Sequence, residues 1–242
     1  ALSASDIDGI IAIGYFTDKQ IQSLRAISGN ITFLDSSPNE LLYDSVVLNF
    51  ELGIKQALDY LRSVGHTRIG YIGPKQLSDE TQRMVLEPRR RYYEHYMREA
   101  GLFEQNLIFE TPMRNQIAVE HELQLRLSAI DSDKRPSAIE ETAIGAIHAL
   151  RSLHLRIPED ISIVSFNDTV MSSVVEPALT SISPHLDYMA ATAVQLVHQR
   201  ASTPAHQPER HFPQKIVIPP ALVVRNSTMP YPKPIEYEKT GS

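Results

Sequence analysis

Short apolar runs rich in Ile and Val recur along the chain, separated by stretches whose apolar residues return every three or four positions. Parallel strands buried on both faces read as such runs, and the helices that cover them read as the stretches between. The runs place strands at Gly9 to Ile13, Ile31 to Leu34, Ser45 to Leu48, Arg68 to Ile72, Leu107 to Glu110, Ser137 to Ile139, Ile161 to Phe166 and Leu179 to Ile182. A late extended pair, Lys215 to Ile218 and Ala221 to Arg225, flanks Pro219-Pro220. Ile54, Leu58 and Leu61 fall on one helical face ahead of Gly65, so a helix beginning near Glu51 runs into a glycine stop. The same test puts Ala143, Ala146, Ile147 and Leu150 on a helix ending near Leu153, and Leu186, Met189, Ala190, Ala193 and Val197 on another. Arg89 to Ala100, closed by Gly101 and opened by Pro88, forms a further helix rich in Tyr and Arg. The class is α/β.

Ala201 to Pro213 reads as a polar, proline-bearing loop and Met229 to Ser242 as an extended tail. The chain opens almost directly into a strand, and Ser137 to Ile139 is short for a buried one. Both features predict residues missing before Ala1 and after Ile139.

Composition removes several kinds of chemistry. With no cysteine among 242 residues there is no disulfide, thiolate metal site or cysteine nucleophile, and a reducing cytoplasm is permitted. A net charge of -6 argues against this segment gripping a polyanion, because non-specific nucleic-acid affinity comes from Lys and Arg neutralising phosphates. The apolar runs fall well below the roughly 20 residues of a membrane span. Nine histidines and many carboxylates supply material for a catalytic site, but they assemble no His-Glu-x-x-His, no Gly-x-Ser-x-Gly, no phosphate-binding glycine loop and no dinucleotide fingerprint. His66, after a helix, and His148, on one, read as surface or packed residues. No enzyme, no metal and no cofactor are expected.

Five phrases then follow one another in order: Asp8-Gly9-Ile10-Ile11; Ile31-Thr32-Phe33-Leu34-Asp35; Gly65-His66-Thr67-Arg68-Ile69-Gly70-Tyr71-Ile72-Gly73; Ile157-Pro158-Glu159-Asp160-Ile161-Ser162-Ile163-Val164-Ser165-Phe166-Asn167-Asp168; and Pro177-Ala178-Leu179-Thr180-Ser181-Ile182. In that order and spacing the chain, from about Ile7 to Thr228, resembles the effector-binding domains of LacI/GalR-type transcription regulators. The resemblance implies two Rossmann-like lobes with parallel sheets joined by three crossovers, as in type I periplasmic binding proteins, with a ligand cleft between them. It puts crossings near Pro74, Ser183 and Pro213, so that 1–74 with 184–212 form the N-terminal lobe, 75–183 with 213–228 the C-terminal lobe, and 229–242 a tail. It also implies a helix-turn-helix unit, absent from this chain, through which the parent protein meets operator DNA, together with a missing first strand and helix.

Sugar recognition uses planar groups that offer paired hydrogen bonds. Arg89 matches the family's arginine motif, registered by Ala100-Gly101-Leu102, although Tyr92 replaces its glycine and Arg90 and Arg91 stand beside it as competitors. Asn167 and Asp168 end a strand where the family carries a ligand-binding pair. Both also suit helix capping, and the expected division is Asn167 on the effector and Asp168 on backbone. Asp35 ends another strand and also suits a turn. Pro184, at the second crossing, offers only shape. Tyr15 and Phe16 are stacking candidates, with core packing or surface exposure as the plainer roles.

The function this implies is a sugar-responsive regulator of a carbohydrate operon, a cytoplasmic homodimer and in the usual case a repressor, whose helices Glu51 to Val64 and Glu141 to Leu153 are candidates for the dimer contact. Galactose or a galactoside is the expected effector, from Ser165-Phe166-Asn167-Asp168 and Tyr92-Tyr93; a phosphosugar would draw on Arg90 or Arg91. The alternative is a periplasmic sugar-binding protein of a transporter, against which stand Ile157 to Ser162 and the phrase Val223-Val224-Arg225-Asn226-Ser227-Thr228.

Overall fold

The computed structural model describes residues 7–73, 76–78, 84–110, 116–127, 137–140, 143–204 and 212–230. In chain order they form β1 (Ile10–Ile13), α1 (Asp18–Arg25), β2 (Ile31–Leu34), β3 (Asp44–Leu48), α2 (Phe50–Ser63), β4 (Ile69–Gly73), the antiparallel pair β5 (Gln76–Ser78) and β6 (Met84–Leu86), and α3 (Pro88–Glu99). There follow β7 (Ile108–Glu110), α4 (Gln116–Leu127), β8 (Ser137–Glu140), α5 (Ala143–Ser152), β9 (Ile163–Phe166), α6 (Val170–Val174), β10 (Thr180–Ser183), α7 (Leu186–Ser202), β11 (Lys215–Ile218) and β12 (Ala221–Val223).

Contacts divide the chain into two compact units. One comprises Ala1–Gly53, Gln76–Pro88 and Ser183–Ala221; the other comprises Ile54–Lys75, Arg89–Ile182 and Leu222–Ser242. The first carries a sheet of order β1-β2-β3-β11, parallel throughout. The second is built on a sheet of order β12-β10-β9-β8-β4-β7, parallel from β10 to β7.

These divisions differ from the sequence-based lobes at three places, one of them Gln76–Pro88, which the sequence places in the C-terminal lobe and contacts place in the first unit. Pro74 itself lies outside the described residues, but the strand before it, β4, is in the six-stranded sheet and not with β1 to β3. All five of its positions are buried and it is paired on both edges, by β8 and β7. The passage therefore falls after Gly53, inside α2. Near the other end, Lys215 to Ile218 pair with Ser45 to Leu48 and so stay with the first unit. Pro219 and Pro220 have no N–H to extend a ladder, and the two extended segments that flank them enter different sheets. Ala1 to Asp6, Glu141, residues 205–211 of the expected loop and 231–242 of the expected tail lie outside the described residues.

In the first unit, Ile31, Phe33 and Tyr43 form the centre of one cluster with Ala12 and Ile21, and Phe16 meets Phe33 edge-on at 5.8 Å. Phe16 is thus a packing residue, whereas Tyr15 is exposed. α7 packs on β1, β2 and β3 and buries Met189, Ala193 and Leu196. Asp44, fully buried, receives the Gln214 N–H at 2.7 Å and the Arg200 guanidinium at 3.3 Å, tying β3 to both α7 and the lead-in to β11.

In the second unit, Ile72, Phe109, Leu123, Leu127, Ile147, Leu150 and Ile163 form one core, with α4 against α5. Tyr71 and Tyr93 stack at 5.5 Å, and the Tyr93 hydroxyl donates to the Ile69 carbonyl at 2.7 Å. Burial pushes that phenol well above its ordinary pKa. α2 is capped by Asn49, whose side chain accepts the Leu52 N–H at 3.0 Å. α2, α3 and α5 share one ending: the second residue after the helix turns left-handed, and the next N–H reaches back five residues, from His66 to Leu61, Leu102 to Met97 and Leu155 to Leu150. Gly65 and Gly101 take that turn without a Cβ penalty; at α5 the turn residue is His154, at φ 56°.

Two stability predictions follow from these contacts. Asp44→Ala leaves a buried guanidinium and an amide N–H without their acceptor, and should cost about 3 kcal/mol, read from the urea midpoint. His66 is buried and donates Nε2–H to the Met229 carbonyl at 2.9 Å, and burial holds its pKa below the usual histidine value. The unfolded chain therefore binds the proton more readily, so stability present above about pH 6.5 is lost as pH falls through the lower native value. Urea titrations at pH 7.5 and pH 5 should show that loss, and His66→Gln should make it smaller.

Candidate functional site

β9 is buried along its whole length, Ile163 to Phe166, and polar chemistry begins only where it ends. The next two residues, Asn167 and Asp168, both take positive φ, 77° and 38°. Asn and Asp tolerate that region better than other residues with a Cβ. Both are half-buried. Asn167 makes no side-chain hydrogen bond to any described residue, so its amide keeps its donors and acceptor for another partner.

Asp168 departs from its expected capping role. Its Oδ1 accepts Nη1–H of Arg225 at 2.6 Å, and its own N–H donates to Ser181 Oγ at 3.1 Å. α6 starts from Thr169 with no side-chain cap.

The three consecutive arginines at the start of α3 have three different environments. Arg89 is buried, with its guanidinium carbon 5.6 Å from the centroid of the Phe166 ring, within cation–π range and beside the end of β9. Arg90, also buried, bonds Glu94 at 2.8 Å and Glu110 at 2.7 Å. Burial alone would lower its pKa, but those two carboxylates outweigh it and the pKa is raised. Arg91 is exposed and lies over the Tyr92 ring. The structure thus places Arg89 against Phe166, whose next residue in the chain is Asn167.

Asp35 and Pro184 belong to the other unit by contacts. Asp35 follows β2 at φ 70° and donates its N–H to the Val46 carbonyl of β3 at 2.9 Å, which continues the pairing of the two strands. Pro184 is buried directly after β10, followed by His185 at φ 56°. Among the described residues, five without a glycine's freedom adopt positive φ: Asp35, His154, Asn167, Asp168 and His185. Four of them fall on or directly beside the candidate binding residues, at ends of strands. Backbone strain of this kind is retained where surrounding structure enforces it, and it gathers at binding sites.

Sequence reasoning missed two participants. Phe166 was read as the end of a strand and as part of the phrase Ser165-Phe166-Asn167-Asp168 but given no contact of its own, although an aromatic preceding Asn-Asp is a natural shelf for a nearby guanidinium. Arg225 was noticed as part of a phrase but given no role. Among the described residues no cluster of His, Asp and Glu is arranged to hold a metal ion, and none of the described helices is long and apolar enough to cross a membrane.

On α2 the exposed positions include Glu51, Lys55, Asp59, Arg62 and Ser63, and on α5 His148, Arg151 and Ser152, all polar. Exposed apolar side chains stand on α6, at Val170, Met171 and Val174, and on α7, at Leu186, Tyr188 and Val194, among others.

Comparison with known proteins bears on this arrangement. The periplasmic binding protein-like domain family matches residues 58–228. An HTH-type transcriptional regulator, GalR of Streptococcus thermophilus, is 30% identical over 225 residues, covering 92% of this chain and 66% of its own length. The chain therefore spans just under two thirds of that relative. A transcription regulator from Lactobacillus plantarum superposes with a TM-score of 0.75 at 26% identity, covering 93% of this chain and 82% of that one. A regulator named CelR, solved with cellobiose, shares the fold at a TM-score of 0.74 and 21% identity, covering 93% of this chain and 67% of that one. The chain belongs to the periplasmic binding protein-like family, in the form that serves LacI/GalR-type transcription regulators as their effector-binding domain.

Proposed function

We propose that this chain is the sugar-sensing part of a transcription regulator, in the usual case a repressor, and that galactose or a galactoside is its effector. The observation that carries the reading is buried Arg89 lying over the Phe166 ring at the end of β9, directly before Asn167 in the chain. A guanidinium fork beside an aromatic ring and an amide with open hydrogen-bonding capacity match adjacent sugar hydroxyls set against an apolar sugar face. Asp35 and Pro184, each at the end of a strand, are proposed as further effector-binding residues. Similarity to an HTH-type regulator favours this reading over a transporter's binding protein; DNA contact through a helix-turn-helix unit outside this chain and action in the cytoplasm belong to the same proposal.

The sugar acts by binding one of two conformations of the domain more tightly, which shifts their populations and so changes how a dimer presents its DNA-binding units. The dimer contact is proposed at α6, where Val170 and Val174 are exposed one helical turn apart. Val174→Glu should reduce the mass seen in sedimentation velocity from dimer to monomer.

The decisive experiment is calorimetric titration with galactose, lactose, glucose, ribose and a hexose phosphate, on the native sequence and on Arg89→Ala. Galactose or lactose should bind saturably, and the variant should lose roughly 100-fold in affinity, the worth of a charge-assisted bidentate contact. Binding by none of these sugars to folded protein would remove the sugar assignment.

A further inference from the structure

Arg225 lies two residues beyond β12, on a segment that is stitched into the second unit by nearly every polar group it owns. Arg225 N–H donates to Thr180 Oγ1 at 3.0 Å, and Asn226 N–H to the Ala178 carbonyl at 3.0 Å. Ser227 is completely buried: its Oγ donates to the Ile163 carbonyl at 2.7 Å and accepts from Thr180 N–H at 2.8 Å. Thr228 Oγ1 lies 2.9 Å from Thr180 Oγ1 and 2.8 Å from the Tyr60 hydroxyl. The backbone that carries the Arg225 guanidinium is therefore fixed against the beginnings of β9 and β10.

From that anchor the guanidinium reaches the residue just before β10 and the carboxylate two residues beyond β9. One nitrogen, Nη1, donates both to the Leu179 carbonyl at 2.7 Å and to Asp168 Oδ1 at 2.6 Å. The ion pair is sheltered, with side-chain exposures of 21% for Arg225 and 14% for Asp168, so it is far less screened than a surface pair. Asp168 and its neighbour Asn167 form two consecutive residues of positive φ, a conformation that the chain would leave if nothing enforced it. The Arg225 bond to the carboxylate and the Ser181 bond to the Asp168 N–H are the restraints on it that the structure shows.

We infer that Arg225 is a positioning residue for the effector site: by holding Asp168 it fixes the two-residue left-handed turn that presents the Asn167 amide, and it keeps the Asp168 carboxylate from competing for the ligand's hydroxyls. The inference rests on the proposed sugar-binding role of Asn167. Arg225 touches no ligand in this scheme and acts only through Asp168.

The test compares the native chain with Arg225→Met, Arg225→Lys and the double variant Arg225→Met/Asp168→Asn. Each is measured by galactose and lactose titration, by urea denaturation, and by hydrogen–deuterium exchange of the peptide spanning 163–171. Removal of the guanidinium leaves a sheltered carboxylate without its partner, so Arg225→Met should weaken galactose binding about tenfold, the equivalent of one lost charge-assisted bond, and speed exchange at Asn167 and Asp168. Replacing the stranded carboxylate by an amide should return affinity to within about threefold of native and slow the exchange again. Arg225→Lys, with one point charge in place of the fork, should fall between.

A loss of affinity that follows global stability and is not recovered in the double variant would overturn the inference, because Arg225 would then be structural only. Unchanged affinity and unchanged exchange in Arg225→Met would overturn it equally. Should the native chain bind neither sugar, the sugar assignment fails on its own, and the exchange comparison still decides whether Arg225 holds the turn.

Discussion

Burial of the central strands on both faces is the constraint from which the rest follows. A strand such as β9, with Ile163, Val164, Ser165 and Phe166 all buried, has no solvent-facing side on which to carry chemistry. Neither does β4, whose five positions are all buried. Polar function can appear only where the strands stop, and in a parallel sheet they stop on the same edge. Phe166-Asn167-Asp168 after β9 meets this condition in the second unit, and Leu34-Asp35 after β2 meets it in the first. The abrupt change from continuous apolar run to Asn or Asp requires the backbone to turn at once, and Asp35, Asn167 and Asp168 do so in the left-handed region. Backbone geometry and the proposed binding chemistry thus fall on the same residues.

The segment from Arg225 to Met229 addresses the complementary difficulty of holding such turns in place. Buried polar groups cost free energy unless they are bonded, and here the buried Ser227 and the sheltered Thr180 satisfy each other and the neighbouring backbone. Each bond contributes about 1 kcal/mol net, but their larger effect is on uniqueness, since removing one hydroxyl would leave several partners unsatisfied. His66 extends the arrangement to the end of α2 through the Met229 carbonyl, with Nε2 as donor and the imidazole kept neutral by burial. A histidine that a catalytic reading would have considered as a base is occupied in tying the chain's last described residues to a helix end.

The strands were legible because their composition left few options. β2 and β11 occupy the predicted residues, and the other predicted strands are met to within a few residues. The elements not foreseen lack the signals that periodicity uses. α4 exposes Ile117 and Leu125 while burying Leu123 and Leu127, so no single apolar stripe is visible. α6 has five residues and displays its valines to solvent. α1 did carry a readable signature in Thr17 and Gln20, whose side chains each accept a hydrogen bond from the other's backbone N–H, at 3.2 and 2.9 Å. The passages between units were harder to place, because nothing local distinguishes a strand that continues one sheet from a strand that opens the next. β4 declares its sheet only through partners 35 or more residues away, Ser137 to Glu140 on one side and Ile108 to Glu110 on the other.

Adjacent residues of one type separate most clearly in the run Arg89-Arg90-Arg91, which sequence alone treats as three equivalent cations. Successive helical positions differ by about 100°, so at most one of the three points at any given feature. Arg90 points toward β7 and α3's own Glu94 and has its charge matched by two carboxylates. Arg91 points to solvent and Tyr92. Arg89 alone is directed to Phe166 and the end of β9. A phosphorylated sugar would call for further cations at that edge. Arg90 is committed to Glu94 and Glu110, and Arg225 to Asp168. The charge pattern of the second unit therefore favours a neutral sugar, for which one guanidinium on an aromatic shelf and one open amide are the fitting pair.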